Sequence, residues 1–438
     1  MTGASAAPAS LRGQVMATGI GELATRVAQI LSVSLVGWVL GAEALGIAGM
    51  AWSLAAIAVA IVQAGPELAG TGELPRRSAH ATLVAEVLAI KMAGALLAVP
   101  VLLLAAWALD FDRKGAFLQL GMQVLALLAT SAGHAWVFRG LGQARRQAVL
   151  RMVQAALLLV FLAAGLVFWR SPLLLPLAEA ASAAVCVGLA RRFLAADGMD
   201  RPRLSRPARS LVKASLSLGV ASSLSQATWM MPIVAVAHAA SLQDVSHLTA
   251  SLRLVIGLNG VMQVLFLALF PHYGRIVAAD PGRGGVVALA MTIQSALACL
   301  VLVALAIPLA GPILHLVFGP ELGPAAPLFA ALLPLLVPVA LASPVTYGFI
   351  AAGRSDLATW IQGGATAVLV VGVWGAAWLG TGAWAALALH PVLWLQAGIS
   401  LLLAHRFRTA VWPPGNWRLL FDPRRLRRMA HVPRGDEA

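Results

Sequence analysis

The chain has 438 residues, 60% of them apolar and 11% charged, with a formal net charge of +14. A soluble domain carries about 25% charged residues, so a water-soluble enzyme or nucleic-acid-binding domain is excluded and the whole chain reads as membrane domain. The two cysteines, Cys186 and Cys299, sit inside apolar runs and supply neither a disulfide framework nor metal-ligand spacing.

The N-terminal stretch MTGASAAPASLRGQ carries one arginine and no short apolar core with a cleavage site, so the first apolar stretch is expected to be an uncleaved span. Twelve stretches come near the ~20 apolar residues that a bilayer crossing needs. They are expected at about 15–40, 45–64, 81–109, 115–138, 149–168 and 172–190, then at about 214–240, 248–270, 286–309, 325–351, 357–378 and 382–404. A tight turn, GAEALG from Gly41, separates the first two. Pro100, Pro232, Pro308, Pro334, Pro338 and Pro344 fall within spans, where each removes a backbone hydrogen bond and is expected to kink its helix. Gly142 and Gly353 stand at hinges.

Between the sixth and seventh spans lies the polar run Arg191–Lys213, with six arginines and one lysine against two aspartates. Each Arg or Lys at mid-membrane costs roughly 2.5–3.5 kcal/mol, so this run stays in water. It divides the chain into an N-terminal six-helix lobe (1–195), a basic linker (196–213), a C-terminal six-helix lobe (214–405) and a basic tail (406–438). With the N-terminus inside, the inner segments hold Arg12, Arg76, Arg77, Arg139, Arg145, Arg146, Arg151, the seven of the Arg191–Lys213 run, Arg275, Arg283, Arg354 and eight arginines after Ala404. The outer loops hold Arg113, Lys114 and Arg170. Excess Lys and Arg in loops marks the cytoplasmic side, which places both termini and the linker there. A nucleic-acid patch is the other reading of so basic a chain, and the alternate-loop placement argues against it.

The two halves look alike. GAEALGIAGMAWSLAAI from Gly41 and SLQDVSHLTASLRLVIG from Ser241 each follow a first long helix and open a second. VFRGLGQARR from Val137 and GFIAAGRSDL from Gly348 each close a fourth span. Parallel six-span repeats commonly frame a central substrate cavity. The expected fold is therefore an all-α polytopic membrane protein, with about 12 transmembrane helices in two six-helix lobes around a central cavity.

Charged residues within spans face a cavity or a partner. In span one, Thr18, Glu22, Arg26 and Gln29 share a helical face, and Glu22 and Arg26 have the i, i+4 spacing of an ion pair. Arg26 lies roughly 16 Å along its helix at 1.5 Å per residue. Span eight carries Thr249, Arg253, Gly260 and Gln263 on one stripe with Asn259 beside it, and span seven carries Ser215, Ser222 and Gln226. Span four shows Gln119, Gln123, Thr130 and His134; spans three and six add Glu86, Lys91 and Glu179. Structural ion pairs, a satisfied core histidine and hydroxyls that glue helices together are the competing explanations. The candidate cavity residues are Arg26, Arg253, Glu22, Gln29, Lys91, Gln226, Asn259 and Gln263. No phosphate loop, zinc-protease motif or nucleophile elbow is present in the sequence, so no enzyme activity, cofactor or metal is expected.

Four stretches resemble the polysaccharide-transporter family of lipid-linked oligosaccharide flippases, within the multidrug/oligosaccharidyl-lipid/polysaccharide exporter superfamily. LGAEALGIAGMAW (Leu40–Trp52) looks like its turn between spans one and two, and WVFRGLGQARRQAVLRM (Trp136–Met152) like its exit from span four. VSHLTASLRLVIG followed by LALFPHYGRI looks like span eight and its end; LVFGPELGPAAPLFAALLPLL followed by GFIAAGRSDL looks like span ten and its flanks. The family often has an arginine just before the span-one turn, where this chain has Trp38. The resemblance implies alternating access in a bacterial cytoplasmic (inner) membrane and a polyprenyl-diphosphate-linked glycan moved between leaflets. It implies a polysaccharide polymerase and glycosyltransferases as partners alongside the lipid bilayer, and no nucleic acid. The related lipid II flippases keep cavity arginines in spans one and eight, the spans that here hold Arg26 and Arg253.

A cation-coupled small-molecule antiporter of the same superfamily is the alternative, with Glu22, Glu86 or Glu179 as the coupling carboxylate. A membrane ligase or polymerase needs a large external loop, and the longest outer loop, about 311–324, carries only Glu321.

Overall fold

The computed structural model describes residues 11–111, 115–199, 205–352 and 354–407. Arg113, Lys114, the centre of the basic linker (200–204), Gly353 and the tail beyond Phe407 lie outside the described residues, as do the side chains of Arg12 and Arg275.

Among the described residues every regular element is helical. In hydrocarbon each backbone N–H and C=O must be satisfied within its own segment, and long Ala- and Leu-rich runs do this as helices. Among the described residues, eleven helical stretches are long and apolar enough to cross a membrane. The first, Met16–Arg76, has 61 residues, about 90 Å at 1.5 Å per residue and some three times a ~30 Å hydrocarbon core. It is broken at Gly41, with φ 83° and ψ −176°, a backbone region essentially reserved for glycine. That stretch therefore supplies two spans, and the twelve expected from the apolar pattern are present.

The chain divides into two compact units, Met1–Gln226 and Ala227–Ala438. Unit 1 begins with α1 (Leu11–Val59), a wide π turn at Ala60–Ala64 and α2 (Gly65–Glu73). It continues with α3 (His80–Ala108), α4 (Ala116–Ser131), α5 (Ala135–Gly140), α6 (Ala144–Phe168) and α7 (Leu174–Ala196). α1 packs along α6 and α4, while α7 packs on both of these. Trp136 and Phe138 of α5 enter a core with Leu83, Val87, Leu150 and Leu194. Span four is two helices, since α4 stops at Ser131 and α5 starts at Ala135. The boundary between the units falls inside α8 (Arg209–Ala239), after Gln226. A β-carbon on Gly65 would lie 2.2 Å from the Ser215 carbonyl oxygen and 2.6 Å from Gly219, so the backbones of α2 and α8 touch.

Unit 2 continues with α9 (Leu242–Ala279), α10 (Pro281–Ala306), α11 (Ala310–Phe318), α12 (Ala326–Leu332), α13 (Leu336–Ala351), α14 (Ser355–Trp378) and α15 (Leu389–Arg406). α13 lies against α9, α10 and α15, with Val345 and Phe349 packed on Val287, Ala288 and Ala404. Ser241 and Asp244 cap α9 reciprocally, and Asp244 Oδ1 also accepts from Ala383 N at 3.2 Å.

Three expectations change. The stretch 311–324, read as a loop, is largely helical, formed by α11 and a 3-10 turn at Pro320–Ala325; apolar Ile313, Leu314, Val317 and Phe318 give it a face to bury. Pro308 lies between α10 and α11 and ends its span instead of bending it, whereas Pro100, Pro232 and Pro344 do sit inside helices. Several helices also begin before their apolar runs: α6 at Ala144 and α8 at Arg209. Long basic side chains can lay their stems along apolar surface while the head stays wet, so hydropathy underestimates such ends.

Candidate functional site

Unit 1 gathers charge where α1, α2, α3, α5 and α6 meet. Lys91, at 0% exposure among the largest fully buried side chains, donates from Nζ to Glu67 Oε1 at 2.6 Å and to the Gly133 carbonyl at 3.0 Å. The second bond takes a backbone oxygen freed by the break in span four. Gln63, in the π turn, reaches the same region and donates to Thr130 Oγ1 at 2.6 Å. Glu22 pairs with Arg151, Oε1 to Nη2 at 3.2 Å. The Gln147 amide, turned with its oxygen toward the guanidinium, accepts from Arg139 Nη2 at 3.0 Å and Nε at 3.1 Å.

These groups share one field. Arg139 and Arg151 both act on Glu67, Arg139 also senses Glu22, and Arg26 senses Glu22 and Arg151. Four cations, Arg26, Lys91, Arg139 and Arg151, thus face two carboxylates, Glu22 and Glu67. Lys91 and Arg151 have carboxylate partners; Arg139 has a neutral amide, and Arg26 has no ion pair among the described residues. The cluster carries a surplus of two positive charges.

This corrects the pairing read from spacing. Glu22 goes to Arg151 across the helix–helix contact and not to Arg26 along its own helix. Gly21 explains the choice: a β-carbon there would stand 3.0 Å from Ala148 Cα, so α1 approaches α6 closely enough to bring Arg151 to Glu22. The structure joins Glu22, Arg26 and Lys91 in one neighbourhood and leaves Gln29 exposed on α1. Arg139 and Arg151, counted with the inner cations, reach this cluster because α5 and α6 carry them into it. Glu67 was missed because it follows the apolar run of span two; Pro66 at a helix start was the available sign.

The unit 2 candidates are on α9. Arg253 is 9% exposed. Gln263 Nε2 donates to Ser343 Oγ at 2.9 Å, and its Oε1 accepts from the Tyr347 hydroxyl at 3.3 Å. Asn259 Oδ1 is buried without a hydrogen-bond partner among the described residues. Gln226 is half-buried at the end of unit 1. A second polar group, not singled out from sequence, links α8, α14 and α15. Thr228 Oγ1 and Thr366 Oγ1 are 2.8 Å apart, Gln362 Nε2 donates to Thr228 Oγ1 at 2.8 Å, and Gln396 Nε2 donates to Gln362 Oε1 at 2.8 Å. The i, i+4 spacing of Gln362 and Thr366 was its sequence signal.

No family model and no curated protein matches the sequence. Solved structures do match the fold. An inward-facing multidrug-resistance MATE family transporter of the MOP superfamily aligns with a TM-score of 0.69 at 15% identity, covering 90% of this chain and 94% of its own. The eukaryotic MATE transporter AtDTX14 aligns at 0.67 and 15% identity, covering 96% and 98%. A MOP superfamily transporter from Pyrococcus furiosus aligns at 0.60 and 15% identity, covering 95% and 98%. The chain therefore has the fold of these transporters along nearly its whole length.

Proposed function

We propose that this protein is an alternating-access secondary transporter of the MATE type, which exchanges a small amphipathic substrate for a coupling cation. The observation that carries this reading is the likeness to MATE family transporters, one of them a multidrug-resistance transporter, which covers 90% and 96% of this chain and so takes in both units. The unit 1 cluster refines the substrate class. Surplus positive charge in a low-dielectric surrounding attracts an anion and repels a cation, and guanidinium forks bind carboxylate, sulfonate or phosphate oxygens bidentately. The Pyrococcus furiosus transporter is described as having a binding pocket of reverse polarity that suggests a different function, which supports pockets of more than one polarity on this fold. The substrate is thus an amphipathic molecule with an anionic group, for which Arg26 in unit 1 and Arg253 in unit 2 are the candidate contacts. Purified protein in proteoliposomes should move anionic amphipathic dyes under an ion gradient and leave cationic dyes behind. Transport of cationic dyes alone would overturn the substrate class.

A second reading keeps the mechanism and changes the cargo to a polyprenyl-diphosphate-linked oligosaccharide, flipped for surface polysaccharide synthesis. What favours it is the combination of an Arg26 without an ion pair and an Arg139 held only by an amide, since a diphosphate offers charge for both. A polymerase and glycosyltransferases would then work on the same carrier. Gene deletion separates the two: sensitivity to toxic amphiphiles marks the antiporter, whereas precursor trapped on the inner leaflet and lost surface polysaccharide mark the flippase. Both readings put the termini and the 196–213 linker in the cytoplasm of a bacterial inner membrane. Reporter fusions after Arg192 and at the C-terminus should report cytoplasm, and an external signal at either overturns that topology.

A further inference from the structure

His134 stands at the break in span four, directly before α5, and is 2% exposed. The Ala132 backbone lies beside the ring and can accept from one ring N–H, and among the described residues no other hydrogen-bonding group reaches either nitrogen, so one of them is bare. A buried polar group left unpaired costs about 1–3 kcal/mol, and in a native fold such a group calls for an explanation. A neutral imidazole has one N–H donor and one bare nitrogen, and protonation turns both into donors. The charged groups that face this ring come from three elements: Lys91 on α3, Glu67 on α2 and Arg191 on α7. Lys91 also holds the carbonyl of Gly133, the residue before His134. One ammonium therefore pins the break and borders a ring with one bare nitrogen.

The buried and half-buried carboxylates in the spans of unit 1 are already engaged. Glu22 pairs with Arg151, Glu67 with Lys91, and Glu86 with Arg77 at 3.0 Å. Glu179 accepts from Gln123 Nε2 at 2.8 Å. Cation coupling at any of them would first have to break such a contact, whereas the bare nitrogen of His134 takes a proton without losing a bond.

We propose that His134 is the proton-binding group of the transport cycle, with the Lys91–Glu67 pair as its switch. This rests on the antiporter reading and names its coupling ion. A proton from water on one side binds the bare ring nitrogen. The imidazolium repels the Lys91 ammonium and attracts the Glu67 carboxylate, so the Lys91 contact at Gly133 loosens and span four is released at its break. When Lys91 returns to Glu67 and Gly133, the same proton leaves to water on the other side. Only an N–H bond forms and breaks, and one proton is taken up and released per cycle.

The full chain in lipid nanodiscs, labelled with 15N-histidine, gives the first test, with the proton itself as probe. The His134 ring signal is identified by its loss in His134→Gln. Replacing Lys91 by Gln should raise the proton affinity of His134 at least about tenfold, one pH unit, and Glu67→Gln should lower it by a comparable factor. Lys91→Arg, which keeps the charge and guards against a misfolded Gln variant, should leave the titration close to wild type. A His134 titration unmoved by both Lys91→Gln and Glu67→Gln overturns the proposal. In proteoliposomes with an imposed pH gradient and carboxyfluorescein as the transported probe, His134→Gln should remove the dependence of dye exchange on the gradient. Undiminished gradient-driven exchange in that variant overturns the proton site while the antiporter reading stands. Wild-type vesicles that show no gradient-driven exchange count against the antiporter reading, and the titration still decides the role of His134.

Discussion

Unit 1 and unit 2 both carry polar side chains inside apolar helices, and they satisfy them differently. Unit 1 uses charge: Lys91–Glu67, Arg151–Glu22 and Arg77–Glu86. Unit 2 uses amides and hydroxyls, with Thr228, Thr366, Gln362 and Gln396 in one chain of bonds and Gln263, Ser343 and Tyr347 in another. Removing ions from water costs several kcal/mol per ion, far more than removing hydroxyls or amides that find partners. Stability alone is met by the neutral solution, so the charged one in unit 1 points to a use. The units also share a device. Each holds a backbone carbonyl of its fourth span with a side chain from another span: Lys91 at Gly133 O, in the break of the unit 1 span, and His390, whose Nε2 lies 2.8 Å from Ala331 O in the unbroken unit 2 span.

The sharpest way to break this contrast is to remove one member of the buried pair. Lys91→Met leaves the Glu67 charge without its partner and should destabilise the protein by about 3–5 kcal/mol, whereas Lys91→Met with Glu67→Met should be close to neutral. Unfolding in detergent measures both, and equal losses in the single and double variants would show that the charge pairing is not what matters. Next in size, if the substrate is the proposed anion, Arg26→Ala and Arg139→Ala should each cost a charge-assisted contact, about 1.5–3 kcal/mol, or roughly ten- to a hundredfold in an affinity-limited transport rate. Lysine at either position should rescue only in part, because it offers a point charge and not a fork. Wild-type rates in stable variants of both would remove the cluster from the substrate path.

Thr228→Val probes the neutral side of the comparison. It deletes a hydroxyl bonded to Thr366 and Gln362 and should cost about 0.5–1.5 kcal/mol; a loss as large as that of Lys91→Met would erase the difference between the units. The smallest effect is expected at Arg354, whose pairing with Asp356 at 3.7 Å is solvent-exposed. Its loss in Arg354→Ala should change stability by about 0–1 kcal/mol, with the remainder coming from its stacking on Phe407.

The polar positions of the unit 1 cluster were partly legible. Glu22, Arg26 and Lys91 stand out because a charge inside an apolar run is conspicuous whatever surrounds it. Arg139 and Arg151 do not, since a charge at the end of a run looks like any topological anchor. The break in span four left no proline to mark it. The neutral network of unit 2 stayed hidden because Thr and Gln at helical spacing are as common in packing contacts as in sites.

By itself the sequence determined that this chain is a twelve-span helical membrane protein, because in hydrocarbon each segment must satisfy its own backbone, and length and apolarity are local properties. Only the tertiary structure decided that Glu22 meets Arg151, that Lys91 holds Glu67 and a broken helix, and that two positive charges remain over. Those outcomes depend on which helices approach and how closely, and the approach of α1 to α6 at Gly21 is a distance between segments more than a hundred residues apart, which no local pattern encodes.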